Sequence, residues 1–329
     1  MTKYLTLILT LCAAIGFQTA RAAETRLSTV QISGEDYVRL TDWARANDFK
    51  WHWLKRENIV EATGSKGRLI FSADSCEATI NGVQVWLCLP FAVVKGVPYV
   101  AELDVDETLV PLLAPNDFKD SKAVKTICLD PGHGGKDPGN RVGSHEEKHY
   151  ALLLAFDVRK ELRKAGFKVI MTRTRDKYVD LPARPAFANR HRADLFVSLH
   201  FNAVSSGRNS VEGSEVYCIT PVGASSTNAR GVGSGHPPTI GNRHEERSLW
   251  LAYDVQKSLV KNLGTDDRGV RRARFAVLRG AKMPAILVEG GYMSNPAEGK
   301  KIFTLAYRLK MASAITKGIL AYKKQMGES

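Results

Sequence analysis

A chain of 329 residues with 25% charged and 44% hydrophobic residues has the composition of a folded globular protein and room for two ordinary domains. It carries 47 Lys and Arg against 34 Asp and Glu, a formal net charge of +13, which points to an anionic partner. No basic stretch is interleaved with aromatic residues as a nucleic-acid surface requires, and no run is apolar for long enough to cross a bilayer.

The first element in chain order is an export signal at 1–22. Lys3 opens it, Leu5 to Phe17 form its apolar run, and Ala20-Arg21-Ala22 offers the small-x-small exit for cleavage. Such a chain works in the periplasm or outside the cell. Cys12 leaves with the signal, so Cys76, Cys88, Cys128 and Cys218 remain in an oxidising compartment. A Cys76–Cys88 bridge across a hairpin is one expectation. Cys128 and Cys218 are either a second bridge or two small buried apolar residues, and no spacing fits a cysteine metal site.

Residues 24–114 hold short alternating runs, Tyr37–Leu40, Arg68–Phe71, Ala78–Ile80, Val83–Leu87 and Val97–Val100, with Asn81-Gly82 as a hairpin signal. Helical patterns occur at Leu40–Asn47 and Val105–Leu113. The pattern is that of a small α+β domain for binding or spacing, and it resembles the stalk-like module at the N-terminus of copper amine oxidases. A polar, turn-rich linker covers 115–123.

From 124 to 325 the texture changes to α/β, a mainly parallel or mixed twisted sheet flanked by helices. Strands are predicted at Val124–Leu129, Lys168–Thr172, Leu195–Leu199, Glu215–Ile219 and Ala285–Val288. Helices are predicted at Glu147–Ala165, Ser248–Leu263 and Ile302–Lys323, the last whole or broken. The Gly/Ser/Pro-rich segment 221–242 reads as a long loop.

The chemistry gathers at strand ends. The first strand leads into LDPGHGGKDPG (129–139), which fails as a phosphate loop: Asp130 stands where a Walker loop has its first Gly, and Asp137 where a dinucleotide fingerprint has its last. It does carry His133 on a glycine turn. Leu195–Leu199 runs straight into His200, and Ala285–Val288 into Glu289. In an open α/β sheet, ligands bind beyond the carboxyl ends of the strands, so three separate strands deliver an imidazole or carboxylate to one edge. Two His, a carboxylate and a water form the recurrent shell of hydrolytic zinc, with a further Glu as base. Glu147 fits the carboxylate place. It also fits a capping box begun by Ser144, and His145, Glu146 and His149 are rival ligands.

LDPGHGGKDPG, Glu147-Lys148, the Leu181…Arg184…Ala188-Asn189 series, ADLFVSLHFNA (193–203), VEGSEVY (211–217), RGVRRARFAVLR (268–279) and PAILVEGGYMSNPAE (284–298) occur in this order. Over 124–323 the chain therefore resembles the zinc-dependent N-acetylmuramoyl-L-alanine amidases of the amidase_3 type. The resemblance implies one Zn2+ held by His133, Glu147 and His200, with Glu289 as the catalytic glutamate. It implies peptidoglycan as substrate, cut at the amide between the lactyl group of N-acetylmuramic acid and L-alanine, in wall remodelling, septum splitting or lysis. Peptidoglycan is anionic, which suits the basic charge. His149-Tyr150 and Phe201 depart from the family pattern, and Phe201 would reshape the groove. A zinc carboxypeptidase acting on wall peptides and a wall-binding protein without activity are the other readings. His236, His244, Glu245 and Glu246 are near enough to the long loop to visit the zinc.

Overall fold

The protein is described as a computed structural model in which residues 27–113, 123–227 and 236–327 are placed. The export signal at 1–22, nearly all of the linker at 115–123 and part of the loop at 221–242 lie outside the described residues. The N-terminal part runs β1 (Thr29–Ile32), β2 (Glu35–Arg39), α1 (Leu40–Ala46), β3 (Phe49–Lys55), β4 (Ile59–Gly64), β5 (Gly67–Ser72), β6 (Ser75–Ile80), β7 (Val83–Val94) and β8 (Val97–Ala101). It closes on α2 (Glu102–Asp104), a π-helical turn (Val105–Leu109) and α3 (Val110–Leu113). The remainder is β9 (Thr126–Pro131), β10 (Arg141–Val142), β11 (His145–Glu146), α4 (Glu147–Lys164), β12 (Lys168–Met171), α5 (Ala183–Arg190), β13 (Leu195–Asn202) and β14 (Ser214–Cys218). After a 3-10 turn at Ile240–His244 come α6 (Glu245–Leu263), β15 (Asp267–Arg272), α7 (Ala276–Arg279), β16 (Ala285–Tyr292), α8 (Pro296–Ile302) and α9 (Leu305–Gln325).

All the strands except β10 and β11 join one sheet, whose main path is β12-β9-β13-β16-β14-β15-β7-β6-β5-β4-β3. The four strands β12, β9, β13 and β16 are parallel, and near-continuous apolar runs such as Leu195–Leu199 suit strands buried on both faces. β14 turns antiparallel against β16. The expected two units are thus parts of one sheet: β15 pairs with β14 on one side and meets β7 at Val270↔Val85 on the other. A single apolar core continues across that junction, from Val60, Phe71 and Val85 to Val216, Val270 and Val288.

Helix boundaries follow local chemistry. The Asn295 side chain caps α8 by accepting from the Ala297 and Glu298 amides, with Pro296 next to it, and Thr304 caps α9. Gly264 ends α6 in the left-handed region at φ 60°. Gly318 lets α9 lie against α6, since a Cβ there would sit 2.6 Å from Val255 Cα. The expected last helix is broken at Phe303, between α8 and α9.

The cysteine pairings are corrected: all four described cysteines are free. Cys128 on β9 and Cys218 on β14 belong to cores on opposite faces of the sheet. They are three strand spacings apart, about 14 Å, where a disulfide needs Cα atoms within about 7 Å. Between β6 and β7 the register jumps from Glu77↔Trp86 to Ser75↔Phe91, so Cys76 meets a bulge and not a partner.

The α6–α9 interface carries a stability prediction. Asp254 on α6 is 5% exposed, its Oδ1 has a 3.4 Å contact from Gln325 Nε2, and its Oδ2 is buried without a partner among the described residues. Burial, partly offset by Lys257, pushes its carboxyl up to about 7. The folded state therefore holds a proton that the unfolded state, titrating near 3.9, has lost. Stability on this account falls as pH rises from about 4 through about 7 and is level above that. Asp254→Asn should raise stability at pH 8 by roughly 2 kcal/mol, about half the ceiling set by three pKa units, and the gain should vanish by pH 4. Thermal melts of both chains across that range measure it, and a gain independent of pH would refute the titration account.

Candidate metal centre

Each proposed ligand is placed by a different element. His133 lies two residues beyond β9 with φ 59°, a left-handed conformation that a non-glycine residue holds only where its surroundings fix it. Those surroundings are two buried arginines. Arg184 donates to the carbonyls of Pro131 (2.9 Å) and His133 (2.8 Å), and Arg173 to those of Pro131 (3.0 Å) and Gly132 (2.7 Å). Buried Asp130 in turn accepts from Arg184 Nη1 (2.9 Å), Thr172 Oγ1 (2.5 Å) and Ser198 Oγ (2.8 Å). Two turn glycines are required by close approach. A Cβ on Gly132 would overlap the His200 ring, and one on Gly139 would lie 2.6 Å from both His133 Cδ2 and Glu147 Oε2.

His133, Glu147 and His200 come together: one ligand atom from each lies within 4.8 Å of the other two. Glu147 Oε1 is 3.1 Å from His133 Nε2 and 2.9 Å from His200 Nδ1. Its other oxygen accepts from the Asn140 backbone and side-chain amides, both at 2.9 Å. The other nitrogen of His133, Nδ1, is 2.8 Å from Asp137 Oδ2. Both His133 and Glu147 thus have one polar atom held by the protein while the other converges with a nitrogen of His200.

That arrangement fits a zinc ion. Ligand atoms around tetrahedral zinc at 2.0–2.2 Å sit about 3.3 Å apart, close to the two separations from Glu147. A histidine anchored by a carboxylate through its second nitrogen is a recurring support for such ligands. Electrostatics agree. Burial alone would raise the Glu147 carboxyl, but hydrogen bonds from both imidazoles outweigh it and hold the group below the usual carboxylate range. Burial alone would lower His133, and the pairing with Glu147 and Asp137 overcomes it. Glu147 is thus held ionised, as a metal-binding carboxylate must be.

Glu289 lies in β16, directly across the ladder from His200 on one side and Glu215 on the other. Its Oε2 is buried with no hydrogen-bond partner among the described residues. Burial, and then the charges of Glu147 and Glu215, push its carboxyl well above the ordinary range. An orphaned carboxyl beside a metal-binding group can take and return a proton.

The rival ligands are engaged elsewhere. His145 stacks on Phe303 with centroids 3.8 Å apart and contacts Tyr150, while Glu146 pairs with Arg141 and Lys148. His149 is exposed beside Tyr150. The capping alternative also fails, since Glu146 occupies the N-cap and no side chain caps α4. Phe201 does not reshape the groove: it is fully buried in the core, packed under Gly290. None of His236, His244, Glu245 and Glu246 joins the ligand group. Sequence reasoning missed Asn140, which fixes the Glu147 carboxylate, and Arg173, which fixes the turn that carries His133; neither belongs to a motif of its own.

A family profile described as N-acetylmuramoyl-L-alanine amidase matches residues 127–321. Among curated relatives, the N-acetylmuramoyl-L-alanine amidase AmiC of Neisseria meningitidis is 36% identical over 218 residues, 60% of this chain and 52% of that protein. AmiA of Escherichia coli is 33% identical, over 62% of this chain and 78% of its own length. The chain therefore spans about half of the first relative and more of the second. Among solved structures, an N-acetylmuramoyl-L-alanine amidase from Clostridium difficile is 34% identical with a TM-score of 0.51, covering 61% of this chain and 97% of that one. AmiC2 of Nostoc punctiforme is 32% identical with a TM-score of 0.52, covering 62% and 99%.

Proposed function

The chain belongs to the N-acetylmuramoyl-L-alanine amidase family, and from that premise we propose that it is a zinc-dependent peptidoglycan hydrolase. In this reading it cleaves the amide joining the lactyl group of N-acetylmuramic acid to L-alanine of the stem peptide. The observation that carries the reading is the convergence of His133, Glu147 and His200 beside the unpartnered Oε2 of Glu289.

His133, Glu147 and His200 would hold the ion, leaving a position open for water or a substrate oxygen. Zinc bound there supplies a Lewis acid and a water acidic enough to ionise near neutral pH. Asp137 and Asn140 keep His133 and Glu147 turned inward. Glu289 takes the proton of the attacking water at its buried carboxylate and returns it to the alanine nitrogen as the amide breaks. The adjacent charge of Glu215, itself 2.7 Å from Arg271 Nε, adds to the proton affinity of Glu289. A wall polymer lies outside the membrane, consistent with an export signal at 1–22, and no described helix is long and apolar enough to cross a bilayer.

Purified sacculi incubated with the protein should release intact stem peptides with a new alanine amino terminus and leave the glycan uncut. A chelator should stop the release and zinc restore it. Loss of single C-terminal residues from stems still joined to glycan would instead establish the carboxypeptidase reading. Asp137→Asn should weaken zinc binding by about 10–100-fold, since it removes the carboxylate that orients His133. Competition with a metal indicator gives that ratio, and wild-type affinity in the variant would exclude the role.

A further inference from the structure

One face of the sheet bears both the metal centre and the open side of the N-terminal strands. His200 is beside Glu289 and Glu289 beside Glu215. The ladder then passes through Val216↔Val270 to β15 and through Val270↔Val85 to β7. Those three valines face the buried core, so alternation turns Glu215, Arg271, Gln84 and Trp86 to the opposite side, that of Glu289. The same side continues through Gln84↔Thr79, Thr79↔Ile70 and Ile70↔Glu61. At about 4.8 Å per strand, Thr79 stands about 24 Å along the sheet from His200.

This side is open. Ile70, Ser72, Thr79, Gln84 and Trp86 are all partly exposed. At the junction, the Arg268 guanidinium lies 5.1 Å from the centroid of the Tyr292 ring, and its side chain is 31% exposed. Arg271 stacks on Trp86 at 4.1 Å, and the Trp86 indole N–H donates to the Arg268 carbonyl at 3.2 Å. Beyond them a cavity of about 290 Å³ opens among Ile70, Ser72, Glu77, Thr79, Gln84 and Asp267.

We propose that this strip, from Arg268 and Trp86 to the cavity at Thr79, is a second part of the substrate-binding surface, occupied by the same peptidoglycan strand whose amide lies at the metal centre. The inference rests on the activity proposed above. Continuity with the centre makes the occupant a polymer, because no small substrate reaches across five strand spacings. Hydroxyls, an amide and carboxylates beside apolar Ile70 and Trp86 suit the polar edges and apolar faces of acylated sugars. Arg268, between the cavity and the centre, suits a stem-peptide carboxylate. Glu77 and Asp267 on the cavity wall repel anions, so the cavity takes uncharged sugar and leaves the stem-peptide carboxylates to Arg268, which counts against a nucleic acid or an anionic membrane there. The N-terminal sheet on this account is the outer half of the groove and not a detached spacer.

The test is binding of the full-length Glu289→Gln protein to purified sacculi by co-sedimentation, alone and with Thr79→Glu or Trp86→Ala added. Thr79→Glu puts bulk and a like charge into the cavity, far from the centre. Half-saturation should shift to at least fivefold higher protein concentration with either change. In chains with Glu289 intact, KM for sacculi should rise by a similar factor with kcat within twofold. Unchanged half-saturation with Thr79→Glu, or a loss confined to kcat, would overturn the proposal. Thr79→Glu decides alone if Trp86→Ala lowers the melting temperature. Failure of the wild-type chain to release stem peptides would strike the proposed activity, and the sacculus-binding comparison would still report on the strip.

Discussion

Glu289→Gln is expected to cut release of stem peptides from sacculi by about 10²–10⁴-fold, the range for losing a positioned acid–base group, while zinc binding stays at the wild-type level. Glutamine keeps the shape of the side chain and cannot accept the water's proton. The proposed ligand atoms belong to His133, Glu147 and His200, so on that reading the metal-to-protein ratio should not change. Stability gives an internal control. Glu289 Oε2 is buried without a partner among the described residues and the carboxyl stands near Glu147 and Glu215, so its charged form is costly and a neutral isostere should melt no lower than wild type. Glu147→Gln should behave differently, losing zinc along with activity, because it removes the shared carboxylate between the two imidazoles. Full turnover in Glu289→Gln would remove the residue from the mechanism, and loss of its zinc would make it a ligand.

The contrast between these residues bears on what could be read without coordinates. His133, His200 and Glu289 were legible because each ends or follows an apolar strand run, and a sheet delivers such positions to one edge. Glu147 was ambiguous from spacing alone, since the start of a helix suits a cap as well as a ligand. Only the fold turns its side chain away from the helix terminus and toward the two imidazoles. β15, read DRGVRR, escaped prediction because its side chains are charged. Those charges are satisfied by tertiary partners that no local pattern reveals: Arg271 meets Glu215, and Asp267 takes the Gln84 amide. Missing that strand hid the junction, the Val270↔Val85 pairing through which the N-terminal strands continue into the sheet of the second domain.

Arg272 is where that junction is most vulnerable, and Arg272→Met should destabilise the protein by about 3–5 kcal/mol. Arg272 is 1% exposed. Its Nη2 donates to the Glu107 carbonyl at 2.7 Å and to Thr108 Oγ1 at 3.0 Å, both on the π-helical turn of the N-terminal part. Asp104, fully buried, accepts from the Cys88 and Leu89 amides at 2.7 and 2.9 Å and from Thr108 Oγ1 at 3.0 Å. Burial raises its carboxyl, and the nearby Arg272 charge opposes that rise. Methionine fills similar volume but leaves Asp104 and half-buried Glu107 without their cation, so the loss comes from an uncompensated buried charge and not from a cavity. Asp104→Asn in the same chain should then recover part of the loss, a coupling that a double-mutant cycle measures. The wild-type chain, with one core across β7 and β15, is expected to unfold in denaturant as a single transition. In Arg272→Met the N-terminal part should separate as an earlier step. A single transition shifted by less than about 1 kcal/mol would show that the β7–β15 ladder and the apolar core hold the two halves together without the arginine.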